Sequence, residues 1–397
     1  MTQRIYYTDA YCRAFDAVVV RTLEHDGRPA AVLDRTAFYP TSGGQPFDVG
    51  VLGGTTVVDV VDDGDVVHVL SAPLAEGAGV HGEIDWSRRF DHMQQHTGQH
   101  VLSAALVHVC DAATVSFHLG SESSTIDLGA PLSAAEVERA VDEANRIVWD
   151  DREVAVRFAS AAEAKSLPLR KESVRDGELR LVEVPQFDLS ACGGTHVART
   201  GVIGLIVVTG VEKFKGGVRL TFVCGSRALH SLRQLRDAVA GSVKMLSVLP
   251  HELPTAVEKL QTEGKGLRKT IAGLQAALAV HEAGRLLASS PSPPDAGGRR
   301  VITEVYEGWD ANGLKTIATS LIARDPVAVA LVGSGAQPLI VVACAPALGL
   351  DANAVLRRVT ERFGGRGGGR ADLAQAGGLT GNAAEIAAAA RDLLAVP

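Results

Sequence analysis

The decapeptide DHMQQHTGQH, residues 91–100, decides how this chain is read. Its histidines fall at positions 92, 96 and 100. On a helix, residues four apart are separated by ~6 Å along the axis and about 40° around it, so the 92/96 pair or the 96/100 pair can reach one metal ion. Residues 92 and 100, about 12 Å apart, cannot share one. A zinc protease needs Glu directly after the first His, and Met93 and Thr97 occupy those places. An isolated H-x3-H is weak evidence. Far along the chain stands Cys192-Gly193-Gly194-Thr195-His196, a Cys and a His separated by three residues. Its two glycines permit the tight turn that aims both side chains at one point. Two helical histidines with this pair supply four donors of the softness zinc prefers.

Two glycine-rich stretches complete the set. In "AFYPTSGGQPFDVG", residues 37–50, Gly43-Gly44 implies a tight loop whose backbone can approach a ligand closely. "RFGGRGGGRADLAQAGG", residues 362–378, follows Arg357 and Arg358 and carries Arg362, Arg366 and Arg370, against the single acid Glu361. Glycines there admit close backbone approach, and arginines fork phosphates. The alternative is a flexible glycine loop with solvated charges.

The rest of the sequence places these motifs. With 397 residues, several domains are expected. Residues 1–87 read as a small β-barrel, with valine-rich strands turning at Asp62-Asp63-Gly64-Asp65. Residues 88–227 read as an α+β domain in which Ser133 and Glu136 form a capping box ahead of the apolar stripe Val137, Val141, Ala144 and Val148. Residues 228–288 are helical. One heptad row is Val257, Gly264, Ile271 and Leu278; the other is Leu260, Leu267, Leu274 and His281. An intrachain hairpin and a dimer seam both fit. Residues 289–299 read as a linker and 300–397 as a small α/β domain. The fold class is therefore α+β multidomain.

The net charge of −7 gives no global signature of nucleic-acid binding, so such a partner needs a local basic patch. No apolar run is long enough to span a membrane, and no signal-peptide pattern opens the chain. Five scattered cysteines argue against a disulfide framework. A cytoplasmic location is expected.

Together the four motifs, in this order, resemble the alanyl-tRNA synthetase editing family. "HTGQHVLSAAL" resembles its zinc helix, "CGGTH" its Cys-x3-His segment, "FYPTSGGQP" its glycine-rich loop, and "GGRGGGRADLAQAGG" the loop of its C-Ala (DHHA1) domain. The chain begins at the barrel, which resembles the freestanding, long-form AlaX branch, so aminoacylation is not expected. The resemblance implies one Zn2+ on His96, His100, Cys192 and His196, with His92 outside the set in a packing or supporting role. It implies hydrolysis of the ester in tRNA(Ala) mischarged with serine, and of glycine as a further substrate. Four protein ligands are the mark of a structural zinc, so displacement of His196 or expansion to five ligands enters the expectation. Gln45, Thr41 and Thr97 are expected near the ester, beside Gly43 and Gly44. His118 and Asp127 are further pocket candidates. Arg366, Arg370, Lys213 and Lys215 are candidates for tRNA contact. A monomer, or a homodimer through the helical or C-terminal segment, is expected. The rival reading is a tRNA-binding scaffold with a structural zinc and no catalysis. Editing of threonyl-tRNA is a third.

Overall fold

The computed structural model describes residues 1–171, 177–290 and 300–395. The expected linker lies, from residue 291 onward, outside the described residues. The chain divides into two compact units, Met1–Gly241 and Ser242–Pro397.

The first unit opens with a closed six-stranded antiparallel barrel. Its order is Ala14–His25, Arg28–Leu33, Asp65–Leu70, Thr55–Asp63, Gly50–Leu52 and Gly79–Ile84, which closes on the first strand. Alternation sends Phe15, Ala17 and Val19 inward, against Leu52, Val57, Val60, Leu70 and Ile84. Gly64, at φ +78°, makes the expected turn between two barrel strands.

The helix Trp86–Cys110 follows, capped by Asp85, whose carboxylate accepts from the Ser87 and Arg88 amides. Nearly all of its middle is buried. The helix Ala134–Trp149 begins with the expected Ser133–Glu136 capping box. Two antiparallel sheets complete the domain. One runs in the order Ile206–Phe214, Gly217–Cys224, Ser124–Leu128, Thr114–Leu119. The other joins Ala155–Ser160, Glu178–Val184 and Asp188–Ala191. Gly98 has a packing reason: a Cβ there would lie 2.3 Å from Cys224 Sγ. The mid-helix glycine is what lets this strand end press against the helix.

In the second unit, the helix Leu253–Ser289 buries only Ala279, Ala283 and Leu286, near its C-terminal end. Leu260, Leu267, Ile271, Leu274 and Leu278 of the heptad rows are exposed. A five-stranded sheet then runs Arg300–Glu307, Val327–Ser334, Leu339–Cys344, Leu373–Gly377, Arg366–Gly369, its first pair parallel and the rest antiparallel. The glycine-rich stretch expected as a loop is therefore a β-hairpin at the sheet edge. Gly367 and Gly369 allow it, because a Cβ on either would strike the backbone of the neighbouring strand. No described helix is long and apolar enough to cross a membrane.

One ion pair ties the barrel to the long helix. Arg89 and Asp48 are both fully buried. Arg89 Nε reaches the two Asp48 oxygens at 3.1 and 3.0 Å, Nη1 donates to Ala10 O at 2.8 Å, and Nη2 donates to Ala37 O at 2.5 Å. Removing one member leaves a buried charge alone, which costs about 3–5 kcal/mol. Arg89→Met should lower the unfolding free energy of the first unit, read by urea titration, by that amount, and Asp48→Leu in the same chain should recover part of it. A single variant as stable as the parent would show that the pair does not hold the barrel to the helix.

Candidate metal centre

His96 and His100 share one face of the Trp86–Cys110 helix, and their rings lie 5.3 Å apart. Cys192 and His196 arrive from the segment after the strand Asp188–Ala191. The ligating atoms of His96, His100, Cys192 and His196 all fall within 4.8 Å of one another. Cys192 Sγ lies 3.4 Å from His96 Nε2 and 3.3 Å from His196 Nε2. Donors around a tetrahedral zinc are separated by about 3.6 Å for a sulfur–nitrogen edge, so these two edges match that ion. His92 contributes no atom to the cluster.

Each imidazole is held from behind. His96 Nδ1 donates to Gln45 Oε1 at 2.8 Å. His100 Nδ1 donates to Asp188 Oδ2 at 3.2 Å. His196 Nδ1 lies 3.2 Å from Thr97 Oγ1, whose own proton goes to Met93 O at 2.8 Å, so the imidazole is the donor. All three rings thus carry hydrogen on Nδ1 and turn Nε2 inward, the arrangement that outer partners impose on metal-binding histidines. Asp188 is itself anchored by Arg170 Nε at 2.7 Å.

Electrostatics agree with this arrangement. Burial raises the Cys192 thiol, but the imidazoles of His96, His196 and His100 outweigh it and bring the group well below its ordinary value. Burial lowers His196 to about 3 despite the thiol beside it. Burial also disfavours a charged His100, yet Cys192 and Asp188 together raise it to about 9. A cation of higher charge placed among them would take over the stabilisation that the His100 proton supplies to the thiolate.

Backbone geometry makes the convergence possible. A Cβ on Gly194 would lie 2.2 Å from His96 Cε1, so only glycine lets the cysteine segment close on the helix. Arg180 holds that segment through Nη1, which donates to Cys192 O at 2.7 Å and Gly194 O at 2.9 Å. On the barrel side, Gly43 and Gly44 take φ of +56° and +84°, and Ser42 and Gln45 close the turn by mutual backbone hydrogen bonds.

The expected site residues separate into distinct groups. Gln45 is fully buried, and both ends of its amide are engaged: Nε2 donates to Thr195 Oγ1, while Oε1 accepts from His96 and the Thr195 amide. Thr97 is spent on His196, Met93 and the Val197 amide. Both therefore position ligands and present no free group to an ester. Thr41 is exposed, and its oxygen accepts from the Phe47 amide. Phe117 stacks on His96 at 5.5 Å, so His118, the next residue on that strand, faces the other side of the sheet. Asp127, level with Ser116 on the adjacent strand, shares that outer side and is paired with Arg219 at 2.6 Å. His118 and Asp127 thus lie away from the cluster. Lys213 and Lys215 are exposed, Lys215 in the hairpin turn with φ +45°. Arg366 and Arg370 are exposed, and Arg370 is paired with Asp372 at 3.1 Å. Phe117, Asp188, Thr195 and Arg180 went unnoticed in the sequence. Only Asp188, four residues before Cys192 on a strand, carried a readable spacing.

Burial and the cations Arg88, Arg227 and Arg89 push His92 down to about 3, so it is neutral.

The comparisons with known proteins meet this geometry. A model described as the threonyl and alanyl tRNA synthetase second additional domain matches residues 179–221, and a DHHA1 domain model matches 298–395. The chain is 30% identical over 389 residues to the alanyl-tRNA editing protein AlaX-L of Pyrococcus horikoshii, covering 94% of each. It is 33% identical to the alanine–tRNA ligase of Pyrococcus abyssi and 36% identical to that of Halobacterium salinarum, but spans only 42% of the length of either. The C-Ala domain from Aquifex aeolicus alanyl-tRNA synthetase also matches, with 24% identity and a TM-score of 0.24, over 27% of this chain and 97% of that one. Matched at 30% identity over 94% of both chains to the editing protein AlaX-L, this chain belongs to the AlaX-L family of alanyl-tRNA editing proteins.

Proposed function

We propose that this protein hydrolyses the ester of tRNA(Ala) mischarged with serine, with glycine as a further substrate, at a site holding one zinc ion. The observation that carries the reading is the fixed tautomer of His96, His100 and His196, all with Nε2 turned toward the Cys192 thiol. A zinc ion bound there would supply Lewis acidity toward the ester carbonyl. The chain's own residues build the rest. Gln45 and Thr195 lock the barrel loop onto His96. Phe117 walls the site with an apolar ring. Thr41, whose oxygen accepts from the Phe47 amide, retains its hydroxyl proton for a serine side chain, which alanine could not engage.

Salt-sensitive tRNA binding is assigned to two exposed basic edges. One is the Lys213–Lys215 hairpin. The other is the Arg366–Gly369 strand, where Arg366, Gly367, Gly368 and Gln375 line a cleft of about 230 Å³. A Cβ on Gly368 would meet only Asn353 Oδ1, at an ordinary contact distance of 4.0 Å, so packing does not require that glycine. The exposed leucine row of the helix Leu253–Ser289 is proposed as a homodimer seam, since a monomer gains nothing from leaving it in water.

The decisive measurement is deacylation of Ser-tRNA(Ala), Gly-tRNA(Ala) and Ala-tRNA(Ala) by the zinc-loaded protein. The first should be hydrolysed about 10⁴-fold faster than the last, the scale at which a site that hydrogen-bonds a hydroxyl discriminates. Hydrolysis of none, with tRNA bound and zinc in place, would favour the scaffold reading. Cys192→Ala should lose zinc, read by metal analysis, together with activity, whereas Thr41→Val should keep zinc and lose selectivity for serine. Light scattering should show a dimer that Leu267→Glu with Leu274→Glu converts to a monomer. A parent already monomeric at the same concentration sinks the seam.

A further inference from the structure

Arg88, His92, His96 and His100 stand four apart on the Trp86–Cys110 helix, so they form one stripe rising about 6 Å per step. The last two belong to the metal cluster. His92 lies one turn before them, only 2% exposed, and its Nδ1 is buried with no hydrogen-bond partner. Leaving a buried ring nitrogen unsatisfied is unfavourable, and an apolar side chain would fill the place without that penalty. One turn further, Arg88 uses Nε to reach Phe47 O at 3.0 Å and lies over the Phe47 ring. Among the described residues, its Nη atoms have no hydrogen-bond partner. Arg227, near His92, differs: its guanidinium is spent on Asp91 and on Gly120 O. The stripe therefore runs from a metal cluster, through an unpaired imidazole, to an arginine with free donors.

An aminoacyl-tRNA 3′ end has the same order. The ester carbonyl comes first, then the ribose with its free neighbouring hydroxyl, then the 5′ phosphate of that nucleotide. One helical turn, about 5.4 Å, is close to the step from sugar to phosphate. A neutral imidazole offers one donor and one acceptor, which matches a hydroxyl, while a guanidinium fork matches a phosphate. We infer that His92 hydrogen-bonds the free hydroxyl of the terminal ribose and that Arg88 takes the phosphate on its 5′ side. Both groups bind and position the substrate. The inference rests on the deacylase reading for the placement of the ester at the cluster.

Binding of uncharged tRNA(Ala) ending in adenosine is to be compared with the same tRNA ending in 2′-deoxyadenosine. The zinc-loaded parent should bind the deoxy form about 5- to 10-fold more weakly, the size of one hydrogen bond. His92→Phe should bind both forms alike, at the weaker level, with one zinc retained per chain. Arg88→Met should weaken both forms and reduce the salt slope by about one. Should His92→Phe fail to fold, His92→Gln keeps a donor and an acceptor and should restore the preference in part. Equal binding of the two forms by the parent would overturn the inference, as would a full deoxy penalty in His92→Phe. If the binding pattern holds but no ester is cleaved, the deacylase reading fails alone. If esters are cleaved with no deoxy penalty, this inference fails alone.

Discussion

The site depends on one constraint: a buried thiol surrounded by three imidazoles whose Nδ1 hydrogens are all committed outward. Once Gln45, Asp188 and Thr97 accept those hydrogens, every Nε2 faces the same point as Cys192 Sγ. Four lone-pair donors facing one another in a dry pocket repel unless a proton or a metal cation sits among them. The three acceptors come from a barrel loop, a sheet strand and the long helix. The cluster is therefore the meeting point of the first unit's parts, and a metal ion bound there would be thermodynamically linked to folding.

That linkage explains why so much of the surrounding structure is spent on holding backbone still. Arg89 engages Asp48, the Ala37 carbonyl at the root of the barrel loop and the Ala10 carbonyl ahead of the first barrel strand. Arg180 grips the carbonyls of Cys192 and Gly194. Gly98 draws Cys224 against the helix, and Gly194 admits His96. Each removes a freedom that would let one ligand drift from tetrahedral spacing. A displacement of under 1 Å at any of these would open the thiol–imidazole distances beyond what zinc spans.

How much of this was legible in the sequence depends on whether the signal was local. Periodicity along one helix left the pairs 92/96 and 96/100, the family resemblance chose His96 and His100, and a five-residue turn gave Cys192 and His196. The barrel and the Ser133–Glu136 cap were readable for the same reason, since each rests on spacing within a short segment. Gln45 and Thr97 were recognisable as site residues, but their duties depend on partners 150 and 99 positions away, Thr195 and His196. His118 looked like a pocket residue until Phe117 was seen on His96, after which strand alternation turned it outward. The glycines at 364–369 carried no sign of strand pairing, because a strand without side chains has no hydrophobic alternation to read.

The redistribution of roles bears on selectivity. With Gln45 and Thr97 consumed in holding ligands, and His118 and Asp127 facing away, few uncommitted polar side chains remain beside the cluster. The wall is Phe117, against which the Gly44 backbone is pressed so closely that a Cβ would lie 3.0 Å from the ring. A pocket with an apolar wall and one exposed threonine discriminates weakly by size, because a missing methyl changes little contact area. Its discrimination of serine must come from a polar contact that alanine cannot form, while glycine, which has no hydroxyl, would be separated from alanine only weakly by size. On the deacylase reading, Thr41 and its neighbour Ser42 are side chains in the barrel loop with a hydroxyl proton to offer. Serine would then be distinguished from alanine by one hydrogen bond that strengthens as the ester carbonyl is attacked.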